Sequence, residues 1–111
     1  MNQMRTMLPP GDVGSVVLAA AQRRARELGV TISQGAIDQI LEKSLPTLTR
    51  LNEEGEIPER RAEIERNTAS LVQYIFDHQL GGRRGEITLD HTRTLFMSFC
   101  ERFPDFIPFC P

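Results

Sequence analysis

Two Asp-His pairs are the residues of this chain best suited to metal chemistry. Asp77-His78 and Asp90-His91 flank the glycine-rich stretch 81–85, so a helical hairpin would bring four potential ligands near one place. Imidazole and carboxylate groups suit zinc, manganese or iron. Adjacent residues on a helix point about 100° apart, however, so each pair offers one ligand to a common site. We therefore assign no metal, and a metal-dependent enzyme using His78 and His91 is retained as an alternative.

The stretch between these pairs, Gly81-Gly82-Arg83-Arg84-Gly85, has the composition of an anion-binding loop. Glycines let backbone amides converge, and the two guanidinium groups supply positive charge. The Gly-Lys-Ser/Thr ending and the preceding strand of a phosphate-binding P-loop are missing from it. A solvated connection between two helices explains the same residues. We assign Arg83 and Arg84 to the polar rim of an interaction surface.

Sequence signatures of common catalytic and cofactor sites are absent from the chain. It contains no Gly-x-Ser-x-Gly, no His-Glu-x-x-His and no dinucleotide-binding Gly-x-Gly-x-x-Gly. A calcium-binding loop beginning at Asp77 would have Gln79, Gly81 and Thr88 at positions where oxygen ligands and a bidentate glutamate are required. We predict neither an enzyme nor a bound cofactor.

Arginine clusters are the basis of a second alternative, a small nucleic-acid-binding regulator. A basic face would form if the first and third predicted helices lay side by side, through Arg23, Arg24, Arg26, Arg60, Arg61 and Arg66. Glutamates are interleaved with these arginines, and the formal net charge of the chain is −2. This mixture favours solvated ion pairs along each helix over a phosphate-binding face. Nucleic acid is therefore not the preferred partner.

The most unusual feature is an aromatic series near the C-terminus. Five of the six phenylalanines recur at helix-like spacing, as Phe96, Phe99, Phe103, Phe106 and Phe109. Up to Phe103 they fit the buried face of a helix, but the tail 104–111 contains too many prolines to continue one. Its rings either close the end of the protein's own core or meet another chain.

The leading functional hypothesis follows from that tail. Aromatic and aliphatic side chains exposed together mark interfaces, where they anchor a partner. We therefore predict a non-catalytic protein–protein interaction module, such as a small adaptor, regulator or inhibitor. Its anchors are Phe103, Phe106, Ile107 and Phe109, and self-association as a homodimer or other homo-oligomer is expected. The identity of the partner does not follow from the sequence.

The elements that position these residues are four amphipathic helices. Hydrophobic residues recur at helical spacing, with approximate bounds from cap to stop of 12–29, 33–51, 58–81 and 88–104. Asp12, Ser33 and Thr88 are the predicted N-caps, Gly29 is a left-handed stop, and Pro46 kinks or divides the second helix. Such helices bury their apolar faces only against one another, which predicts an all-α bundle. Residues 1–11 form a flexible arm before a single domain, 12–111.

A weak internal repeat refines this bundle. Ile32-Ser33 and Ile87-Thr88 each end a loop with isoleucine followed by a hydroxyl N-cap, 55 residues apart. The chain is then two helix-loop-helix hairpins, and the extended segments at Ile32 and Ile87 pair as a short β-bridge.

Cysteine usage and hydropathy bear on the compartment. Cys100 and Cys110 make no disulfide framework, so two free thiols are expected, with closure of a short loop as the alternative. No segment is apolar enough to span a membrane, and the N-terminus lacks the apolar stretch of a signal peptide. The cytoplasm is the predicted location, and no contact with a membrane is expected.

Overall fold

The computed structural model describes residues 10–78 and 85–110 of the chain, and the side chains among them from residue 12 onward. Four long helices pack together, which confirms the predicted all-α bundle. The elements in chain order are α1 (Pro10–Val13), α2 (Ser15–Leu28), β1 (Thr31–Ile32), α3 (Gln34–Glu53), α4 (Ile57–His78), β2 (Glu86–Ile87) and α5 (Leu89–Arg102).

Local signals in the sequence place most of the helix ends correctly. The Ser33 hydroxyl accepts a hydrogen bond from the amide of Ala36 at 3.1 Å and begins α3. The Thr88 hydroxyl likewise accepts from the His91 amide at 3.3 Å, and the His91 ring reaches back to the Thr88 amide to complete a capping box. Gly29 has a φ of 75° and ends α2 in the left-handed conformation.

The start of the bundle differs from the prediction. Asp12 is not an N-cap but lies within the single turn α1, where its carbonyl oxygen accepts from the Ser15 hydroxyl at 2.7 Å. Gly14 occupies the N-cap position of α2 and provides no side-chain hydrogen bond. Most of the predicted arm, residues 1–9, lies outside the described residues, whereas Pro10 and Gly11 belong to α1.

The second long helix is not divided by its proline. Helix α3 continues through Pro46 as one element, although that residue cannot donate the usual backbone hydrogen bond. Leu48 and Leu51, which follow the proline, are both buried in the core. Burial of this last segment against the other helices compensates for the missing hydrogen bond.

The bundle consists of two similar units joined by the predicted β-bridge. Helix α2 packs against α4, and α3 packs against α5, so corresponding helices of the two units are neighbours. Strands β1 and β2 are parallel, with Ile32 opposite Ile87. The amide of Ser33 donates to the carbonyl of Ile87 at 2.9 Å and fixes this register. Both units therefore begin their second helix from the same bridge.

A single apolar core runs between the helices and includes residues of every long element. Its largest fully buried aliphatic side chains are Ile40, Leu48, Leu51, Ile57, Ile64, Leu71, Ile75 and Ile87. Among the described residues, three hydroxyls are also buried, and each donates to a backbone carbonyl three or four residues earlier in the chain, as Thr68 does to Ile64 at 2.8 Å. The polar groups of these side chains are thus satisfied without interrupting the core.

The aromatic tail folds back onto the end of the bundle. Helix α5 ends before Pro104, as predicted, and two successive turns return the chain toward α5 and α4. A disulfide joins Cys100 to Cys110, so the expectation of two free thiols is wrong and the alternative of a closed loop is correct. The side-chain amide of Asn67 in α4 donates to the carbonyl of Ile107 at 2.8 Å. Within 10–78 and 85–110, none of the helices is both long and apolar enough to cross a bilayer.

Candidate interaction surface

The tail and α4 together form a cavity that we call the aromatic groove. Its apolar wall consists of Tyr74 in α4, Phe99 and Phe103 at the end of α5, and Phe106 in the tail. The volume is about 340 Å³, and the cavity is open to solvent. Phe99 is fully buried, whereas the other three rings are partly exposed. The groove is large enough to receive one or two side chains.

Ring packing holds the aromatic wall in a defined arrangement. The ring of Phe99 lies at its centre, with centroids 5.4 Å from Tyr74, 5.1 Å from Phe103 and 5.3 Å from Phe106. Phe103 and Phe106 contact each other at 4.9 Å. The Tyr74 hydroxyl and the Ser98 hydroxyl form a hydrogen bond of 2.9 Å, which orients the tyrosine ring. This packing leaves the four rings few alternative rotamers, so they do not turn inward and close the groove.

A polar network runs along the edge of the groove between α2 and α4. The Arg24 guanidinium donates to the Glu27 carboxylate at 2.8 Å and, by a second nitrogen, to the Gln73 side-chain carbonyl. The amide group of Gln73 in turn donates to the Asp77 carboxylate at 2.9 Å. The edge therefore presents oriented polar groups beside an apolar wall.

One atom of this network is unpaired. Nε of Arg24 is buried and has no hydrogen-bond partner among the described residues. A buried donor without an acceptor costs about 1–3 kcal/mol of stability.

The predicted anchors have different environments. Phe103 and Phe106 line the aromatic groove and are partly exposed. Ile107 is also partly exposed, and its carbonyl is held by Asn67. Phe109 is only 3% exposed and packs edge-on against Phe96, with ring centroids 5.8 Å apart. Phe109 thus belongs to the core beneath the surface.

The remaining candidate residues are the two arginines of the predicted rim and the two histidines of the metal alternative. Arg83 and Arg84, the predicted polar rim, lie outside the described residues. In 10–78 and 85–110, no group of three or more metal-binding side chains is close enough to hold an ion. His78 stacks on Tyr74 and has its Nδ1 2.9 Å from the Tyr74 carbonyl, whereas His91 caps α5.

Carboxylates neutralise much of the arginine cluster that suggested nucleic-acid binding. Arg60 forms ion pairs with Glu56 at 2.8 Å and Glu63 at 3.3 Å. The hydrogen bond that Arg60 donates to the Glu56 carboxylate is the main reason that the pKa of Arg60 is raised above its usual value. Arg61 lies 4.0 Å from Glu65. This part of α4 is a mixed, solvated surface.

Sequence reasoning missed Arg24, Gln73 and Tyr74 as a group. Arg24 was one arginine of a cluster, and no motif or apolar pattern had singled out Gln73 or Tyr74. The three meet only because α2 packs against α4 and the tail returns beside them. The one sequence signal was Tyr74 itself, the only tyrosine of the chain.

No family model, curated protein sequence or solved structure matches this chain.

Proposed function

We propose that this protein is a non-catalytic interaction module, a small adaptor, regulator or inhibitor that binds a partner protein through the aromatic groove. The observation that carries the proposal is the partly exposed aromatic wall of Tyr74, Phe103 and Phe106 beside an ordered polar edge. Such a combination is typical of the centres of protein interfaces, where rings provide contact area at little entropic cost. An apolar side chain of the partner would enter the groove, and the polar edge would orient its backbone.

The experiment fills the groove without disturbing its walls. Ser70 is exposed and lines the groove, so Ser70→Trp would occupy the space that the partner needs. Ala62→Trp is the matched control, because Ala62 is exposed on the same helix but does not line the groove. Intact tagged protein is used to capture partners from the native host. We expect Ser70→Trp to lose them and Ala62→Trp to retain them, and equal recovery would contradict the proposal.

Filling the groove is preferable to deleting the tail. Phe109 is buried and Cys110 is bonded to Cys100, so a chain that ends at Pro104 would lose part of its core. A loss of binding by the shortened chain would then not distinguish a damaged fold from a missing contact.

Self-association is part of the same proposal, with a second copy of the chain as one partner for the aromatic groove. Light scattering after gel filtration tests it directly. A concentration-dependent dimer that Ser70→Trp dissociates would support this form of the proposal. A monomer for both proteins at all accessible concentrations would contradict it.

Salt dependence separates this function from the nucleic-acid-binding alternative. Binding to phosphates by six to ten cations weakens by about 10³–10⁵ between 50 mM and 200 mM salt. An apolar contact in the aromatic groove should change little over the same range. A steep loss of partner binding with salt would therefore favour the alternative.

The proposed cytoplasmic location is weakened by the disulfide. Bonds such as Cys100–Cys110 persist mainly in oxidising compartments and are uncommon in the cytosol. Thiol labelling of the protein in intact cells tests the compartment. Rapid labelling of both cysteines would support a reducing location, and complete protection until a reductant is added would contradict it.

A further inference from the structure

A second groove lies on another face of α5 and shares no lining residue with the aromatic groove. We call it the basic groove. It runs between α3 and α5 and has a volume of about 330 Å³. Its described lining consists of Gln39, Lys43, Arg93, Phe96, Met97, Cys100 and Phe109. The floor is apolar, and both charged residues are cations.

The charges of this groove contrast with those of the whole protein. The chain has a formal net charge of −2, yet the described lining of the groove contains no carboxylate. Lys43 on α3 and Arg93 on α5 are both exposed. Neither forms an ion pair with another described residue. The described ion pairs of the bundle instead join residues that are three or four positions apart in the sequence. Both charges on the described walls of the groove are therefore positive, and no carboxylate of those walls pairs with them.

Met97 makes the floor of the basic groove a site for an apolar group. It is 70% exposed, the most exposed of the large hydrophobic side chains that the structure describes. Methionine is flexible and adapts its shape to an incoming side chain. Beneath it, Phe96 and Phe109 pack against each other, and the disulfide at Cys100 fixes the tail that carries Phe109. The rings beneath Met97 are thus held in place, whereas the Met97 side chain can change its conformation.

We propose that the basic groove binds an acidic segment of a partner protein, in which one apolar side chain lies between carboxylates. The apolar side chain would contact Met97 and Phe96. The carboxylates would pair with Lys43 on one bank and Arg93 on the other. Charge complementarity across a partly apolar groove provides both orientation and selectivity against basic segments.

The first experiment defines the chemistry of the segment with immobilised peptides. Each has a central Leu, Phe or Gly that is flanked on both sides by Glu, Gln or Lys residues, and the labelled full chain is the probe. We expect binding to the Glu-flanked Leu and Phe peptides, weaker binding to the Glu-flanked Gly peptide, and none to the Lys-flanked series. Equal binding to the Gln-flanked peptides, or no preference for Glu over Lys, would overturn the proposal.

The second experiment locates the peptide on the protein by fluorescence anisotropy. K43E/R93E reverses both cations of the basic groove and should weaken binding of the Glu-flanked Leu peptide by about tenfold or more. R23E/R66E is the matched control, since it reverses two exposed arginines of α2 and α4 that do not line this groove. Equal losses in the two double variants would mean that only net charge matters and would refute the site.

A third variant separates this proposal from the aromatic-groove function. Ser70→Trp blocks only the aromatic groove, so it should leave the affinity for the Glu-flanked Leu peptide unchanged. Loss of peptide binding in Ser70→Trp would place the peptide in the aromatic groove and overturn the present proposal. If K43E/R93E did not weaken peptide binding, the basic groove would be refuted as the peptide site. The aromatic groove and the partners that Ser70→Trp loses would be unaffected by that result.

Discussion

Removal of the Cys100–Cys110 disulfide tests how the tail is held against the bundle. The bond closes a loop with a sequence separation of 10 residues. In the chain-entropy description, a loop of this length restricts the unfolded state by about 3 kcal/mol at 25 °C. The tail also has contacts that survive reduction, namely the burial of Phe109 and the hydrogen bond from Asn67 to Ile107. We therefore expect the protein without the disulfide to fold, with a lower free energy of unfolding.

The assay is urea unfolding of three proteins, followed by far-ultraviolet circular dichroism. They are the oxidised chain, the same chain with a thiol reductant, and C100A/C110A, in which alanine avoids placing a hydroxyl at the buried Cys110. The free energy of unfolding should fall by about 3 kcal/mol in the second and third proteins. The aromatic circular dichroism of the folded state should remain, because Phe99, Phe103 and Phe106 stay packed.

Two results would refute this reasoning. A change smaller than about 1 kcal/mol would mean that the unfolded chain already keeps the tail close to α5, so the bond adds little restriction. Complete unfolding on reduction would mean that the contacts of Phe109 and Asn67 contribute far less than their burial indicates. Agreement between the reduced chain and C100A/C110A is the internal control, because the loss of the disulfide is the change that both share.

Three further substitutions test individual contacts by thermal or urea unfolding. Thr88→Ala removes the cap of α5 and should lower the free energy of unfolding by about 1 kcal/mol. Thr94→Ala, at an exposed position in the middle of the same helix, is the control and should lower it much less. Equal effects would contradict the capping role. Gly29→Ala should cost about 1 kcal/mol because φ there is 75°, and an unchanged midpoint would argue against the left-handed stop. Asn67→Ala should cost about 1–3 kcal/mol by leaving the Ile107 carbonyl without its donor, and a neutral result would show that water replaces it.

Features that depend on neighbouring residues could be predicted from the sequence. Ser33 and Thr88 are caps because a hydroxyl reaches an amide three residues ahead, which requires no knowledge of the tertiary fold. The pairing of Ile32 with Ile87 also followed, since the two units repeat the same loop ending. Asp12 was misassigned because it lies inside the single turn α1, and Gly14 occupies the N-cap position of α2.

The surfaces could be predicted only in part, because they depend on how distant elements meet. Phe103 and Phe106 were identified as candidates from spacing, but their partner Tyr74 becomes part of the same groove only when α4 packs beside α5. The disulfide was left as an alternative, since a cysteine in a predicted helix and one in the following tail do not reveal which way the chain turns between them. Met97 was not identified, because its exposure depends on the orientation of α5 in the bundle.

The affinity of a captured partner for the aromatic groove is the most direct test of the proposed function. Titration calorimetry would compare the intact chain, Ser70→Trp and Ala62→Trp, each after circular dichroism has shown the same helix content. Because the added indole ring would occupy the groove, we predict a dissociation constant at least tenfold larger for Ser70→Trp, a loss of about 1.4 kcal/mol or more of binding free energy. We predict no change for Ala62→Trp. Equal affinities for all three proteins would contradict the assignment of the aromatic groove as the binding surface.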